Sequence, residues 1–134
     1  MRDGLILACQ RKRTVRYPLK WEFPGGKLEE GEAPPDTLRR ELREELSVDA
    51  GPMELFHEQH WAYPEGAGQG GAERSYRVFY YLVHTFRGEP LNRVFEQIRW
   101  VSPLELGAMD ILSGNREAVN LLIARTHPPA RTGR

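Results

Sequence analysis

The segment from Pro34 to Leu46 most narrows the folds open to this chain. Pro34 and Pro35 suit the first turn of a helix, where the missing N–H would have had no partner. Behind them Leu38, Leu42 and Leu46 recur every four residues, an apolar stripe of helical period. The reading is a helix from about Pro34 to Leu46 with one face buried. At about 100° per residue, Glu41 and Glu45 lie about 40° apart, with Glu44 about 60° from Glu41 on the other flank. Three carboxylates therefore share one face. Like charges at that spacing weaken a helix by roughly tenths of a kcal/mol per pair. Two compensations are open. One is a solvated acidic face beside Arg39, Arg40 and Arg43. The other is a divalent cation such as Mg²⁺, whose hardness matches carboxylate oxygens and which bridges to phosphates.

The rest of the chain reads as strands with one further helix. Leu5 to Cys9 is a first strand, closed by the basic turn Arg11 to Arg13. Residues 14–27 are a proline- and glycine-rich loop with a short strand at Trp21 to Phe23. Met53 to His60, Arg77 to Phe86 and Ile98 to Val101 are strands, the second rich in aromatic and β-branched residues. Gly66 to Ala72 is a loop, and Asn115 to Arg125 a second helix. Elements interleave irregularly, so the expected class is α/β, with a mixed β-sheet sandwiched between helices. A chain of 134 residues fits one domain, 1–126, with a flexible polar tail at 127–134.

Charge and cysteine usage narrow the partners. Nineteen basic and nineteen acidic residues cancel, whereas a protein working on long nucleic acid usually carries a basic excess. The most apolar run, Val78 to Val83, is far short of the ~20 residues of a membrane helix, and the N-terminus lacks a secretory apolar region. Cys9 is the one cysteine, too few for an internal disulfide or a thiolate metal site, and reads as a small buried hydrophobe. The expectation is a cytoplasmic protein with no membrane and no nucleic-acid polymer as partner. His57 and His60 fall on opposite faces of their strand, which argues against a paired metal site.

A longer pattern surrounds the acidic helix. Gly26 is followed after five residues by Glu32, and after seven more by Arg40-Glu41-Leu42. One residue later come Glu44-Glu45, and after one more Ser47-Val48. This resembles the signature box of the Nudix hydrolases. Six fixed positions and both aliphatic ones agree, a coincidence expected about once in ten million positions. Ser47 departs, standing where the family has a glycine that relieves a left-handed conformation at the helix end. Trp21-Glu22-Phe23-Pro24-Gly25-Gly26-Lys27 is similar to the MutT-like branch, as are Arg74, Arg87-Gly88-Glu89-Pro90 and Leu112-Ser113-Gly114-Asn115.

The resemblance implies the Nudix fold and a Mg²⁺-dependent pyrophosphohydrolase, with Mn²⁺ as the alternative metal. It would cleave nucleoside or deoxynucleoside triphosphates, oxidised or modified ones included, to monophosphate and pyrophosphate. Two other readings stay open, a hydrolase of nucleoside diphosphate derivatives and a catalytically silent nucleotide-binding module. By resemblance the metal ligands are Gly25, through its carbonyl, with Glu41, Glu44 and Glu45. The catalytic set is Glu44, Glu41 and Glu96, either a box glutamate or Glu96 acting as base. Arg11, Phe23, Arg74 and Asn115 are candidates for substrate binding, with Trp61 and Tyr63 as further stacking candidates. A solvated turn is the alternative for Arg11, core packing for Phe23, and a helix N-cap for Asn115. Gly26, Glu32 and Arg40 support the site, Arg40 through Glu32 or Glu44. Most relatives have one more strand ahead of the Asp3-Gly4 turn, where Met1 falls. A strand missing there and a neighbouring chain over that edge, as in a homodimer, are the two alternatives.

Overall fold

The computed structural model describes residues 1–25, 31–64 and 73–126, with 61–64 and 73–76 described by backbone alone. Gly26, the expected loop at Gly66 to Ala72 and the expected tail at 127–134 lie outside the described residues. The elements in chain order are β1 (Ile6–Gln10), β2 (Trp21–Glu22), α1 (Pro34–Leu46), β3 (Asp49–Ala50), β4 (Met53–Pro64) and β5 (Glu73–Val83). β6 (Phe86–Arg87), β7 (Gln97–Val101), α2 (Pro103–Gly107), a 3₁₀ turn at Ser113–Asn115 and α3 (Arg116–Thr126) complete them.

The arrangement is helix, sheet, helix, and β1 shows why. Its alternate side chains face opposite sides. Ile6 and Ala8 join Trp21, Val101, Leu106 of α2, and Val119 and Leu122 of α3 in one buried cluster. Cys9, with Leu7 packed alongside, joins Leu42 and Leu46 of α1, Val48 and Phe95 in the other. A strand apolar on both faces belongs between two layers of helix, as the α/β reading required.

β1 lies between β2 and β7, antiparallel to both. β3 pairs with β6, and β4 with β5 in a long hairpin whose register shifts between Leu55 and His57. The named strand pairs are antiparallel, and an isolated Trp21–Ile111 bridge is parallel. Ahead of β1, Asp3 and Gly4 have φ of 53° and 77°, and Arg2 and Leu5 exchange backbone hydrogen bonds of 3.0 and 2.9 Å. That is the primed two-residue turn whose twist suits a hairpin. The Met1 ammonium donates to the Val83 carbonyl at 2.5 Å, tying this turn to the end of β5.

α1 has the predicted bounds, with Leu42 and Leu46 buried. Ser47 terminates it in the left-handed conformation, φ 57° and ψ 35°. Its N–H donates to the Arg43 carbonyl at 3.1 Å, and its hydroxyl accepts from Arg93 Nε. The strand expected to run to Phe86 stops at Val83. There Gly51 N–H donates to the Thr85 carbonyl at 2.7 Å, and the chain turns to pair Phe86–Arg87 with β3. β4 extends past His60 to Pro64 because β5 begins at Glu73 and supplies a partner along its whole length. The second expected helix starts one residue late, at Arg116, because a 3₁₀ turn precedes it. α2 was not foreseen. It is set by a capping box in which Ser102 Oγ accepts from Glu105 N–H and the Glu105 carboxylate accepts from Ser102 N–H.

Candidate active site on the carboxylate helix

Arg40 organises the outer part of the acidic face. Its Nε lies 2.8 Å from Glu32 Oε2 and its Nη2 3.1 Å from Glu32 Oε1, a two-point grip of the planar kind arginine favours. Its Nη1 lies 3.0 Å from Glu41 Oε1 and 3.2 Å from Glu44 Oε2. Thr37 Oγ1 adds a hydrogen bond of 3.1 Å to Glu32. The sequence offered Glu32 or Glu44 as partner; the geometry provides both, with Glu41 in addition.

Glu45 stands on the inner flank. Its Oε1 accepts a hydrogen bond of 3.2 Å from Gly25 N–H. Gly25 has φ of 144°, a conformation that side chains rarely adopt, so glycine is needed where this loop meets the helix. Burial, and then the nearby Glu41 charge, push the Glu45 carboxyl up to about 8, against the opposing pull of the Gly25 N–H. The Glu41 side chain adds to that rise. Two neighbouring carboxyl groups disfavour two negative charges, and a hard cation offsets that repulsion. Among the described residues no three metal-ligating side chains are gathered, and Arg40 holds both Glu41 and Glu44. Mg²⁺ commonly takes only one or two carboxylates and completes its shell with water and phosphate oxygens. The donor set fits such an ion.

Glu22, quoted in the sequence pattern but given no role there, is a third acidic group in this region. Burial raises its carboxyl above the usual range, against the pull of Arg11. Arg11 Nη1 lies 3.1 Å from Glu22 Oε1, and Arg11 Nε donates to the Arg16 carbonyl at 2.8 Å. Arg11 is thus a partly buried ion-pair member rather than a solvated turn residue. Both face a cavity of about 890 Å³, whose lining includes Phe23, Gly25, Tyr80 and Asn115 and, further in, apolar side chains of both core clusters. A shallower groove of about 370 Å³ runs over Asp36, Arg39, Arg40, Arg43 and Glu44 on the outer face of α1. Glu96 is elsewhere. It sits just before β7, with Oε2 3.8 Å from Arg13 Nη2, and no hydrogen bond or ion pair found among the described residues joins it to the α1 carboxylates.

Phe23, Tyr80 and Asn115 form one wall of the larger cavity. Phe23 N–H donates to Asn115 Oδ1 at 3.2 Å, and Asn115 Nδ2 donates to the Tyr80 hydroxyl at 2.9 Å. The Asn115 side chain therefore bridges Phe23 and Tyr80, and among the described residues no hydrogen bond from it to the backbone of α3 is found. Phe23 packs edge-on to Tyr80 with ring centroids 5.9 Å apart, and also against the first core cluster. Behind them, Gln59 is buried, and its Nε2 donates to the Gly114 carbonyl at 2.7 Å. His57 Nε2 lies 3.1 Å from Gln59 Oε1, while His60 is exposed on the other face, as the strand period required. Arg74 pairs with Tyr63 in the β4–β5 ladder; its side chain, like those of Trp61 and Tyr63, lies outside the described residues. Sequence reasoning missed Tyr80 and Gln59. The available signal was a polar side chain, Gln59, at the same parity as His57 on a strand.

Comparison with known proteins agrees with this arrangement. The family model described as NUDIX domain matches residues 1–122. An 8-oxo-dGTP diphosphatase of Haemophilus influenzae is 32% identical over 124 residues, covering 92% of this chain and 85% of that protein. An 8-oxo-dGTP diphosphatase of Escherichia coli is 31% identical over 114 residues, covering 85% and 82%. A solved structure from work on MutT of Aliivibrio salmonicida and Vibrio cholerae superposes with a TM-score of 0.73 at 26% identity, covering 91% of this chain and 87% of that one.

Proposed function

The chain belongs to the NUDIX domain family, and from that premise we propose that it is a divalent-cation-dependent pyrophosphohydrolase of nucleoside triphosphates, oxidised ones included. The relatives named as 8-oxo-dGTP diphosphatases support the substrate class. The observation that carries the reading is the carboxylate face of α1, where Glu45 accepts from the Gly25 N–H and Glu41 and Glu44 share Arg40.

In this reading Glu41, Glu45 and the Gly25 carbonyl hold the ion, Mg²⁺ in the first place and Mn²⁺ as substitute, with Glu44 at the rim. Such an ion, when bound, would neutralise phosphate oxygens and lower the pKa of water. The chain's own groups do the rest. Water attacks phosphorus, the bridging P–O bond breaks, pyrophosphate leaves, and the proton of water passes to a carboxylate. Glu44 is more than half exposed and has water access, so it is the proposed base in preference to Glu96, which faces Arg13. Arg40 aims Glu41 and Glu44 and anchors them through Glu32, a supporting role. Arg11 approaches the triphosphate from the cavity wall, while Phe23, Asn115 and Arg74 take the base. A zero net charge suits a free nucleotide better than a polymer.

The test is turnover of deoxynucleoside triphosphates by Glu44→Gln and Glu45→Gln at saturating Mg²⁺. Each keeps its shape and loses its charge, so kcat should fall by orders of magnitude while the circular dichroism spectrum is retained. Turnover unchanged in both would overturn the site.

A further inference from the structure

Two strand edges border the large cavity, and neither is paired along it. In a strand the N–H and C=O of successive residues point to alternate edges. Val83 turns its carbonyl away from β4, where the Met1 ammonium donates to it at 2.5 Å, so Tyr81 and Phe79 face the same way. Among the described residues neither has a backbone partner on that edge of β5. In β1, Leu5 exchanges both backbone hydrogen bonds with Arg2, and Cys9 pairs with Glu22 of β2. Leu7 lies between them with the same parity, and among the described residues nothing pairs with it there. The space between the edges is apolar on both sides. Leu42, Leu46 and Val48 line it from the α1 side, and Leu82, Ala118 and Leu122 from the α3 side. Water finds no hydrogen-bond partners in such a space, and packed interiors do not keep voids of this size. The Met1 nitrogen stands at one end of it. Burial there lowers the ammonium pKa from its ordinary value. An amide N–H at that atom would make the same bond to Val83 without placing a charge there.

We propose that the inner part of the cavity is a slot for an apolar β-strand joined to the Met1 nitrogen, antiparallel to β1 and parallel to β5. Such a strand merges the β2-β1-β7 and β4-β5 sheets into one. Two contacts set its direction. Arg2 and Leu5 already form the first antiparallel pair with β1. The cavity follows β5 from Val83 back to Arg77, so a chain that leaves the slot at Met1 runs in the direction of β5. That stretch of β5 calls for about seven residues, roughly 23 Å at ~3.3 Å each. Alternate side chains enter the α1 layer and the α3 layer, so the strand must be apolar on both faces, as strands covered on both sides are. The slot is separate from the proposed nucleotide site, whose residues Glu22, Phe23, Gly25 and Asn115 line the outer part of the same cavity.

The experiment extends the chain ahead of Met1 by about seven residues in three forms, each behind a pair of lysines that keeps it soluble. One alternates valine and isoleucine, one is the same with two prolines, and one is glycine and serine. The readouts are amide hydrogen exchange at Leu7, Phe79 and Tyr81, the melting temperature, and binding of an apolar dye. The valine–isoleucine form should slow exchange at these amides by roughly a hundredfold or more, the difference between an open edge and a paired core strand. It should also raise the melting temperature and abolish dye binding. The proline form cannot complete the ladder, and it and the glycine–serine form should match the unextended chain. Equal protection by the proline form assigns the effect to apolar cover and overturns the strand. Protection in none of the three overturns the slot. Protection in the unextended chain that vanishes on dilution gives the slot to a second copy. Equal protection by the free valine–isoleucine peptide gives it to a separate polypeptide, and either result overturns the joined strand.

Discussion

Arg40→Ala removes a cation shared by Glu32, Glu41 and Glu44. Its side chain is 25% exposed, against 20% for Glu32 and 15% for Glu41, so the cluster is largely but not wholly withdrawn from water. Breaking a fully buried ion pair by deleting one partner costs roughly 3–5 kcal/mol, because the abandoned charge stays desolvated. The Glu44 contact, made to a side chain 57% exposed, adds little. Discounting for partial exposure leaves about 2–3 kcal/mol. For a domain of this size 1 kcal/mol moves the midpoint by roughly 3–5 °C, so melting should drop by roughly 6–15 °C. The assay is thermal denaturation with and without Mg²⁺. The variant leaves Glu41, Glu44 and Glu32 repelling one another, so Mg²⁺ should stabilise it more than it stabilises wild type. A melting temperature within a degree of wild type, with activity lost, would refute the supporting role and make Arg40 a direct substrate contact.

Ser47→Gly relieves a left-handed residue at the end of α1 at the expense of an exposed hydrogen bond to Arg93. A gain of about 0.5–1 kcal/mol is expected in urea melts, and a loss would show that the hydroxyl matters more than the backbone. Cys9 has no exposed surface, and burial pushes its thiol far up. A thiol reagent should label it only as fast as the protein unfolds, and stoichiometric labelling of the native state within minutes would contradict that. Glu22 has a raised carboxyl pKa, so between the unfolded and folded values the native state binds a proton that the unfolded state does not. Its contribution to stability is greatest below the ordinary carboxylate range and is lost as pH rises through the raised value. Urea melts from pH 5 to 9 should show a shallower decline for Glu22→Gln than for wild type, and an unchanged slope would remove Glu22 from the cause.

What the sequence disclosed, and what it hid, follows from the range of each signal. α1 was legible to the residue because its cause is local: prolines at the start, leucines every four, a left-handed serine at the end. Arg40 was legible as a partner of Glu32 and Glu44 because helix spacing fixes i,i+4 neighbours and the family pattern supplied Glu32. The Arg11–Glu22 pair was not, because it depends on how the nine-residue connection from Lys12 to Lys20 brings β2 beside β1, and loop conformation sets that register. β6 was absorbed into β5 because an aromatic and β-branched run does not reveal where a strand changes partner. α2 was overlooked although Ser102 and Glu105 carry a capping-box spacing, since five residues give no apolar period to notice. Asn115 looked like an N-cap from its place before a helix. Its side chain answers instead to Phe23, 92 positions away, a contact that only the closed fold supplies.

The central claim is that the Glu41–Glu45 face with the Gly25 loop cleaves a triphosphate at an internal bridge. Anion-exchange analysis of the products from a deoxynucleoside triphosphate, with Mg²⁺ and with a chelator, tests it most directly. Nucleoside monophosphate and pyrophosphate should form in equal amounts, only with the metal, and should be lost in Glu45→Gln. Nucleoside diphosphate with orthophosphate, or product formed equally in the chelated sample, would contradict it.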